Sequence, residues 1–527
     1  VDRSAHSGEP FLAATTLNHA APAKSGSLRI IMNTTNERPS ALPAASARPT
    51  RSLLKAAATT TALILFAGGV MPAAALAQIT FQPEKKPPAP PAPNAPDQGP
   101  MQVPVPKDTP TTPRARQPRT TEPRAPRAAM PRPTKLNPLP TLTTKDLDAA
   151  VSTGVERLLS MQETFEPGQP KAEWPYQGVY RVNGQIPIGY RVGGTAICAT
   201  ALLLAPGYDK DEPRQAAVAR ACVFVCEKKS HQLMSIEDYD AGYDVRGWGY
   251  TYGLDFLLAL KRLKAVPQDQ TAAVDASIAH YLRAIEETQI PISGGWNYAR
   301  PDGKETKAAP SSFMTASTLI TLIEARAQGL NVNQSTIDKA VAFLIASRAQ
   351  STDDGVGSSV LYSGTANPRR SAQKELPGAM GRMCVVESAL TLAGATITTA
   401  AGEKRPASGD KHLSAAVEAF IEHWDELDKR RMMTGTHIGP FGVAPYYFMY
   451  AHRHAALATE LLTDEPTKAR LREKTNALLF SVRSEDGTWN DRVFPRSANF
   501  GTAFAMMAIM SPRLAAPTKL PSIEVSR

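Results

Sequence analysis

The chain has 527 residues, 45 of them proline, and a formal net charge of +10. Residues 1–140 carry 17 Lys/Arg against 7 Asp/Glu, which leaves residues 141–527 electrically balanced. A nucleic-acid-binding fold carries its positive stripe on the folded part, so no nucleic-acid partner is expected here.

In chain order, the first methionine is Met32, and residues 1–31 read as an upstream extension of the gene model or a disordered stretch. Residues 32–77 have the pattern of a signal peptide. Arg48, Arg51 and Lys55 precede an apolar run over 56–70, Pro72 breaks it, and Ala75-Leu76-Ala77 forms a small-x-small cleavage site before Gln78. The run is too short for the roughly 20 residues that span a bilayer. The expectation is an exported protein, periplasmic or secreted, with no transmembrane span after cleavage; the alternative is an uncleaved anchor. Residues 78–140 form a linker rich in Pro, Ala, Arg and Thr, with Pro87-Pro88-Ala89-Pro90-Pro91 at its start. Such a chain buries too little surface to offset its ordering entropy and is predicted to be disordered. It serves either as a solvated stalk or as a basic spacer touching the anionic envelope.

From 141 to 527 the chain repeats a two-helix unit six times. The predicted outer helices cover 146–162, 215–228, 272–287, 335–349, 413–429 and 467–482. The inner ones cover 195–204, 253–263, 311–328, 378–393, 446–462 and 501–510. Apolar residues recur at helical spacing, as Ile337, Val341 and Leu344 do. The inner helices are rich in Ala and Thr, which permits close packing around an axis. A lone helix pair leaves its inner face bare, so six pairs predict an all-α, α6/α6 toroid, with an open solenoid as the alternative. The cysteines are Cys198, Cys222, Cys226 and Cys384. Cys222 and Cys226 share a helix face in an apolar run and read as core; a zinc site with His231 would need further ligands.

The units resemble the QW repeats of the terpenoid cyclase/prenyltransferase superfamily, in which Gly, Leu or Phe, Gln, Gly and Trp recur. The first unit shows Gly154, Leu158 and Gln162, with Trp174 after a longer loop. The last shows Leu479, Arg483, Gly487 and Trp489, with Arg483 where Gln is usual. The third keeps Gly294 and Trp296, with Glu286 at the Gln position. The resemblance, to exported single-barrel members with prenyltransferase/squalene oxidase repeats, implies an α/α toroid over residues 141–527. The family's known chemistries lack their residues here. A cyclase acid motif is approached only by Asp238-Tyr239-Asp240-Ala241-Gly242-Tyr243-Asp244 and Thr352-Asp353-Asp354-Gly355, which read as turns. No Asp-x-Cys zinc stretch and no Cys-Gly-Glu-Gln thioester is present. No cofactor and no metal are expected.

If each loop links an outer to an inner helix, all six gather on one rim. That rim would carry Trp174, Tyr176, Trp248, Tyr250, Tyr252, Trp296, Tyr298, Phe441 and Trp489, with Tyr446, Tyr450 and His454 along one face of the fifth inner helix. Trp248, Tyr250, Trp296, Tyr298, Tyr446, Tyr450 and Trp489 are the candidate ligand-binding residues. The same aromatics also fit a structural role, tying neighbouring helix pairs together. The leading reading is a cell-envelope protein that binds a small-molecule ligand, apolar, glycan or peptide, at this mouth. The rival is an enzyme on the same barrel, a terpenoid-type cyclase or a polysaccharide lyase or hydrolase, with Asp240, Asp244 and His454 as acid/base candidates. A third is an interaction scaffold using the outer face.

Overall fold

The chain enters its first helix through Thr143, whose hydroxyl oxygen accepts from the Asp146 N–H while the Asp146 carboxylate accepts from the Thr143 N–H. This reciprocal box satisfies donors that a helix start leaves open. Asp211, Asn333 and Asp464 cap later helices with a side-chain oxygen. The computed structural model describes residues 138–237, 245–298, 310–349, 354–363, 374–399, 402–433 and 435–521, and the backbone of 523–525.

Outer helices α1 (Thr144–Met161), α3 (Glu212–Lys228), α5 (Thr271–Glu287), α7 (Gln334–Ala346), α9 (Asp410–Glu422) and α12 (Glu465–Phe480) alternate with inner ones. The inner set is α2 (Ile188–Leu204), α4 (Arg246–Arg262), α6 (Ser312–Ala327), α8 (Leu376–Leu392), α11 (Tyr447–Glu460) and α13 (Ser497–Met510); a short α10 (Trp424–Asp428) follows α9. Each inner helix packs on the next, and α13 returns to α2, closing the ring. The outer helix α1 seals the seam against α13. The molecule is therefore an α6/α6 toroid and not an open solenoid. Outer helices bury one stripe, as Ala150, Val151, Gly154 and Leu158 of α1 do, whereas α2 and α13 are buried on almost every face. Gly189 and Gly193 bring α2 against α4. A Cβ at Gly189 would stand 2.1 Å from the Val245 carbonyl oxygen, and one at Gly193 would stand 2.2 Å from the Trp248 ring.

Three tryptophans repeat one connection. The backbone N–H groups of Trp174, Trp296 and Trp489 donate to Thr195, Thr315 and Thr502 of the inner helix at 2.9, 3.0 and 3.1 Å. Their indole Nε1–H groups donate to the carbonyls of Leu158, Ile285 and Leu479 near the end of the outer helix at 2.6, 2.8 and 2.8 Å. Each indole thus uses its one donor and buries its ring between the two layers, where truncation typically costs about 3–5 kcal/mol. In the second unit the Val225 carbonyl receives the Tyr281 hydroxyl instead, at 2.7 Å. The fourth unit substitutes a buried ion pair: Arg348 holds Glu387 through two hydrogen bonds and the Ala407 carbonyl at 2.8 Å.

The structure departs from the predicted elements in four places. α4 starts at Arg246, seven residues before the expected 253, so Trp248 and Tyr250 lie on the helix and not in a loop. α2 likewise starts at Ile188. The helix expected over 413–429 breaks at His423 into α9 and α10. Strands β1 (Ala395–Thr398), β2 (Lys404–Pro406) and β3 (Ile523–Val525), which periodicity did not suggest, make a small sheet in the order β2-β1-β3, with β3 parallel to β1.

Candidate functional site

Where the inner helices begin, aromatic rings fill the lumen. Trp248 lies parallel to Phe313 (centroids 6.0 Å apart, planes at 10°) and against Tyr252 at 4.6 Å. Tyr176 meets Phe500 at 4.5 Å, and Phe313 meets Tyr450 at 4.0 Å. Because these rings come from α2's preceding loop, α4, α6, α11 and α13, they bridge the ring of inner helices from several sides. Farther out in the same end, Tyr298 meets Tyr446, and the Tyr446 hydroxyl and the His437 Nε2 are 2.8 Å apart. Asp491 and Arg492 are buried here against Tyr176, whose hydroxyl accepts from the Arg492 Nε–H at 3.0 Å. Burial raises the Asp491 carboxyl to about 7.

The predicted aromatics therefore divide. Trp248, Tyr298, Tyr446 and Tyr450 converge in the lumen, all buried or nearly so, and Phe313 and Phe500 join them. Trp296 and Trp489 turn their polar tips to the outer layer. Tyr250 donates to the Ser235 carbonyl at 2.7 Å, beyond the lumen wall. The Tyr450 hydroxyl is held by Ser317 and by the Phe313 carbonyl at 2.5 and 3.0 Å. Asp240 and Asp244 lie outside the described residues. Asp354 accepts from the Val356 N–H at 3.1 Å, a turn contact. His452 accepts from the Trp424 indole at 2.9 Å, and burial holds it neutral, at about 3. Cys222 and Cys226 are buried free thiols on α3, and His231 accepts from the Leu233 N–H at 3.1 Å. Among the described residues, no group of three or more His, Cys, Asp or Glu is arranged to hold a metal. No described helix is long and apolar enough to cross a membrane.

At the other end of the lumen, where the inner helices finish, a cavity of about 610 Å³ opens. Its walls run from the middle to the ends of α2, α4, α6, α11 and α13, and residues 511–518 lie along one side. Ile197, Leu203, Ile320, Leu457, Phe504 and Met507 make it largely apolar. Charged and titratable groups interrupt that lining, among them Asp255 and Arg262 of α4, Glu324 of α6, and Arg453, His454 and Glu460 of α11. Arg262 and Leu263, 38% and 45% exposed, carry its solvent edge. The stripe Tyr446, Tyr450, His454 thus runs from the aromatic end down into the cavity, and His454 is its member that reaches it.

The cavity's charges are unequal in their partners. Glu324 lies 3.6 Å from Arg262 and accepts from Gln328 at 2.9 Å. Glu460 is held by two hydrogen bonds from Arg472, both 2.7 Å. Arg513 pairs with Asp148. Asp255, by contrast, has no hydrogen bond and no ion pair among the described residues. Desolvation, reinforced by the Glu324 carboxylate, pushes its carboxyl up to about 6 against the opposing pull of Arg262 and Arg453. His454 is 8% exposed, its Nδ1 has no hydrogen-bond partner, and burial keeps the imidazole neutral. The Thr200 hydroxyl in the same wall is also without a partner. A half-protonated acid beside a second carboxylate, in a ligand-sized and mostly apolar space, can deliver a proton at mildly acidic to neutral pH.

Sequence reasoning sought charge in loops and so missed Asp255, Glu324, Arg262 and Arg453. The usable signal was a lone carboxylate inside an apolar inner helix, Gly253-Leu254-Asp255-Phe256-Leu257-Leu258, since a charge seldom stands among core residues without a reason.

No family model matches this chain, and no curated protein matches it. Among solved structures, it is similar to an unsaturated glucuronyl hydrolase from Bacillus sp. GL1, with 10% identity over 70% of this chain and 96% of that one (TM-score 0.43). It is also similar to a possible GH105 family member from Klebsiella pneumoniae subsp. pneumoniae, with 11% identity over 72% and 95% (TM-score 0.43). A GH76 α-mannanase from Bacteroides thetaiotaomicron gives 12% over 69% and 96% (TM-score 0.43). These are α/α toroids of the glycoside hydrolase kind; none of the three is a terpenoid cyclase or a prenyltransferase.

Proposed function

We propose that the lumen cavity is the active site of an acid–base enzyme that cleaves a hydroxyl-rich, saccharide-like ligand, with Asp255 as proton donor. The observation that carries this reading is Asp255 itself: a carboxyl in the cavity wall, raised to about 6, with no hydrogen bond among the described residues to hold it ionised. Cleavage of an acetal C–O bond requires a proton on the leaving oxygen, which Asp255 supplies. Water then bonds to the carbon, and Glu324 on the neighbouring helix takes the water's proton. Proton transfer back to Asp255 completes the cycle, the two-carboxylate logic of glycoside hydrolysis. The cavity also narrows the ligand. An entirely apolar molecule would leave Asp255, Thr200 Oγ1 and His454 Nδ1 dry and unpaired, and Arg453 with Ser511 alone, at about 1–3 kcal/mol for each unsatisfied group. A ring with hydroxyls on its rim and an apolar face suits both kinds of lining.

Incubation of the purified protein with a panel of aryl glycosides and oligosaccharides, analysed by chromatography, tests the reading. Cleavage that disappears in a folded Asp255→Asn variant is the expected result; cleavage that survives it sinks Asp255 as the acid. Export belongs to the same proposal, because the signal-like residues 32–77 and the basic stretch 78–140 suit a protein working at the envelope. N-terminal sequencing of the protein from its host should begin at Gln78, and a retained segment 32–77 would favour an anchored form.

A further inference from the structure

Arg453 is the cation of the cavity with no carboxylate in ion-pair contact among the described residues; Asp255 acts on it only from farther off. Its one hydrogen bond among the described residues runs from Nη1 to the Ser511 hydroxyl at 3.0 Å, and no carboxylate lies within ion-pair distance. Among the other charges of the wall, Arg262 has Glu324, Glu460 has Arg472 and Arg513 has Asp148; Asp255 forms no ion pair among the described residues, although the charges of Arg262 and Arg453 both reach it. A guanidinium has five N–H donors in a planar fork, so most of Arg453's capacity is open toward the cavity. Three further unpartnered groups share the wall, the Thr200 and Tyr252 hydroxyls and the His454 Nδ1, each on a residue at least nine-tenths buried. Around them Ile197, Leu457, Phe504 and Met507 line the wall with apolar surface. A cation so placed gains most from an anion that meets it with two oxygens, and a carboxylate matches its fork.

Resting on the acid–base reading of this cavity, we propose that its ligand carries a carboxylate and that Arg453 is the residue that selects for it. The ligand class is then an acidic saccharide of the uronate type, its carboxylate on Arg453 and its cleavable oxygen toward Asp255. Arg453 binds and orients; it transfers no proton. The Ser511 contact places the guanidinium, since the hydroxyl accepts from one Nη and leaves the opposite edge of the fork for the ligand.

Calorimetric titration of the full chain with sodium D-glucuronate and, in parallel, with uncharged D-glucuronamide tests this. Wild type and Asp255→Asn should both bind the acid at least roughly tenfold more tightly than the amide, the scale of a charge-assisted contact. Arg453→Gln should bind acid and amide alike, and Arg453→Lys, which keeps the charge without the fork, should retain part of the preference. Equal binding of acid and amide by wild type, which needs no variant to fold, overturns the proposal and leaves the cavity as a neutral-sugar site. A preference that survives in Arg453→Gln overturns Arg453's part. Absence of binding by either ligand overturns the saccharide reading on which the proposal rests.

Discussion

Where the inner helices begin, Tyr176, Trp248, Phe313 and Phe500 meet ring to ring at 4.5–6.3 Å; where they end, Asp255, Glu324 and Arg453 stand around a void of about 610 Å³. The first end is filled with surface that gains from burial, the second with groups that lose from it. The difference separates two meanings of conspicuous residues. Aromatic density marks the end that holds the inner ring in register, while charge without partners marks the end kept open. A barrel whose lumen were open at both ends would lose the ring-to-ring contacts between α4, α6, α11 and α13, so the plug makes the cavity structurally possible.

The sharpest test of that division is kinetic. Asp255→Asn should lower the cleavage rate by about 10²–10⁴-fold, the usual contribution of a positioned proton donor, with the fold intact by circular dichroism. An equal loss from Trp248→Ala at unchanged stability would erase the distinction between the two ends. Trp248→Ala should instead destabilise the chain by about 3–5 kcal/mol in denaturant unfolding, because it empties the space beside Phe313 and Tyr252.

The pH dependence sharpens the comparison further. Asp255 binds its proton more tightly in the folded state, at about 6, than an unfolded aspartate does near 3.9. Stability therefore falls as pH rises from about 4 through about 6, by up to roughly 2–3 kcal/mol, and the full penalty applies above that window. Glu324 deepens this loss and Arg262 and Arg453 oppose it. Asp255→Asn should flatten that part of a Tm-against-pH curve, and a curve identical to wild type would contradict a desolvated carboxyl. Asp491, raised to about 7 at the plugged end, keeps a similar slope in both proteins. Activity should fall on the alkaline side as Asp255 loses its proton. The smallest effect is expected from Trp489→Phe, which keeps the ring but strands the Leu479 carbonyl. A cost of about 1 kcal/mol by thermal unfolding, without change in cleavage, is predicted.

The toroid was legible because each repeat carries its own copy of the same instruction. Trp174, Trp296 and Trp489 signal the join between layers, and six alternations of exposed and small-residue helices imply closure. The start of α4 was not legible, since Gly247, Trp248, Gly249 and Tyr250 have the composition of a loop. They become helical only because the glycines accept close neighbours: a Cβ at Gly247 would stand 2.7 Å from the Asn297 carbonyl oxygen. The cavity was harder still. Asp255 and Arg453 are single charges on different helices, nearly 200 positions apart, and only ring closure brings them to one wall. His454 was reachable through its spacing from Tyr446 and Tyr450, which needs one helix and no tertiary knowledge.

The segment after α13 adds a consequence in time. Residues 511–518 form one side of the cavity, the Leu520 N–H donates to the Leu392 carbonyl at 2.8 Å, and β3 then pairs with β1. The ring seam likewise joins distant parts of the chain, since Arg157 donates to the Asp486 carbonyl 329 residues away. Such long-range closures form late, after the local hairpins. The cavity is thus among the last features to exist during folding, and a chain halted after α13 would hold a ring with an unfinished chamber. A molecule bound there favours the state in which residues 511–518 have docked, and stabilises it by mass action. Occupancy of the chamber would then report that this last wall is in place.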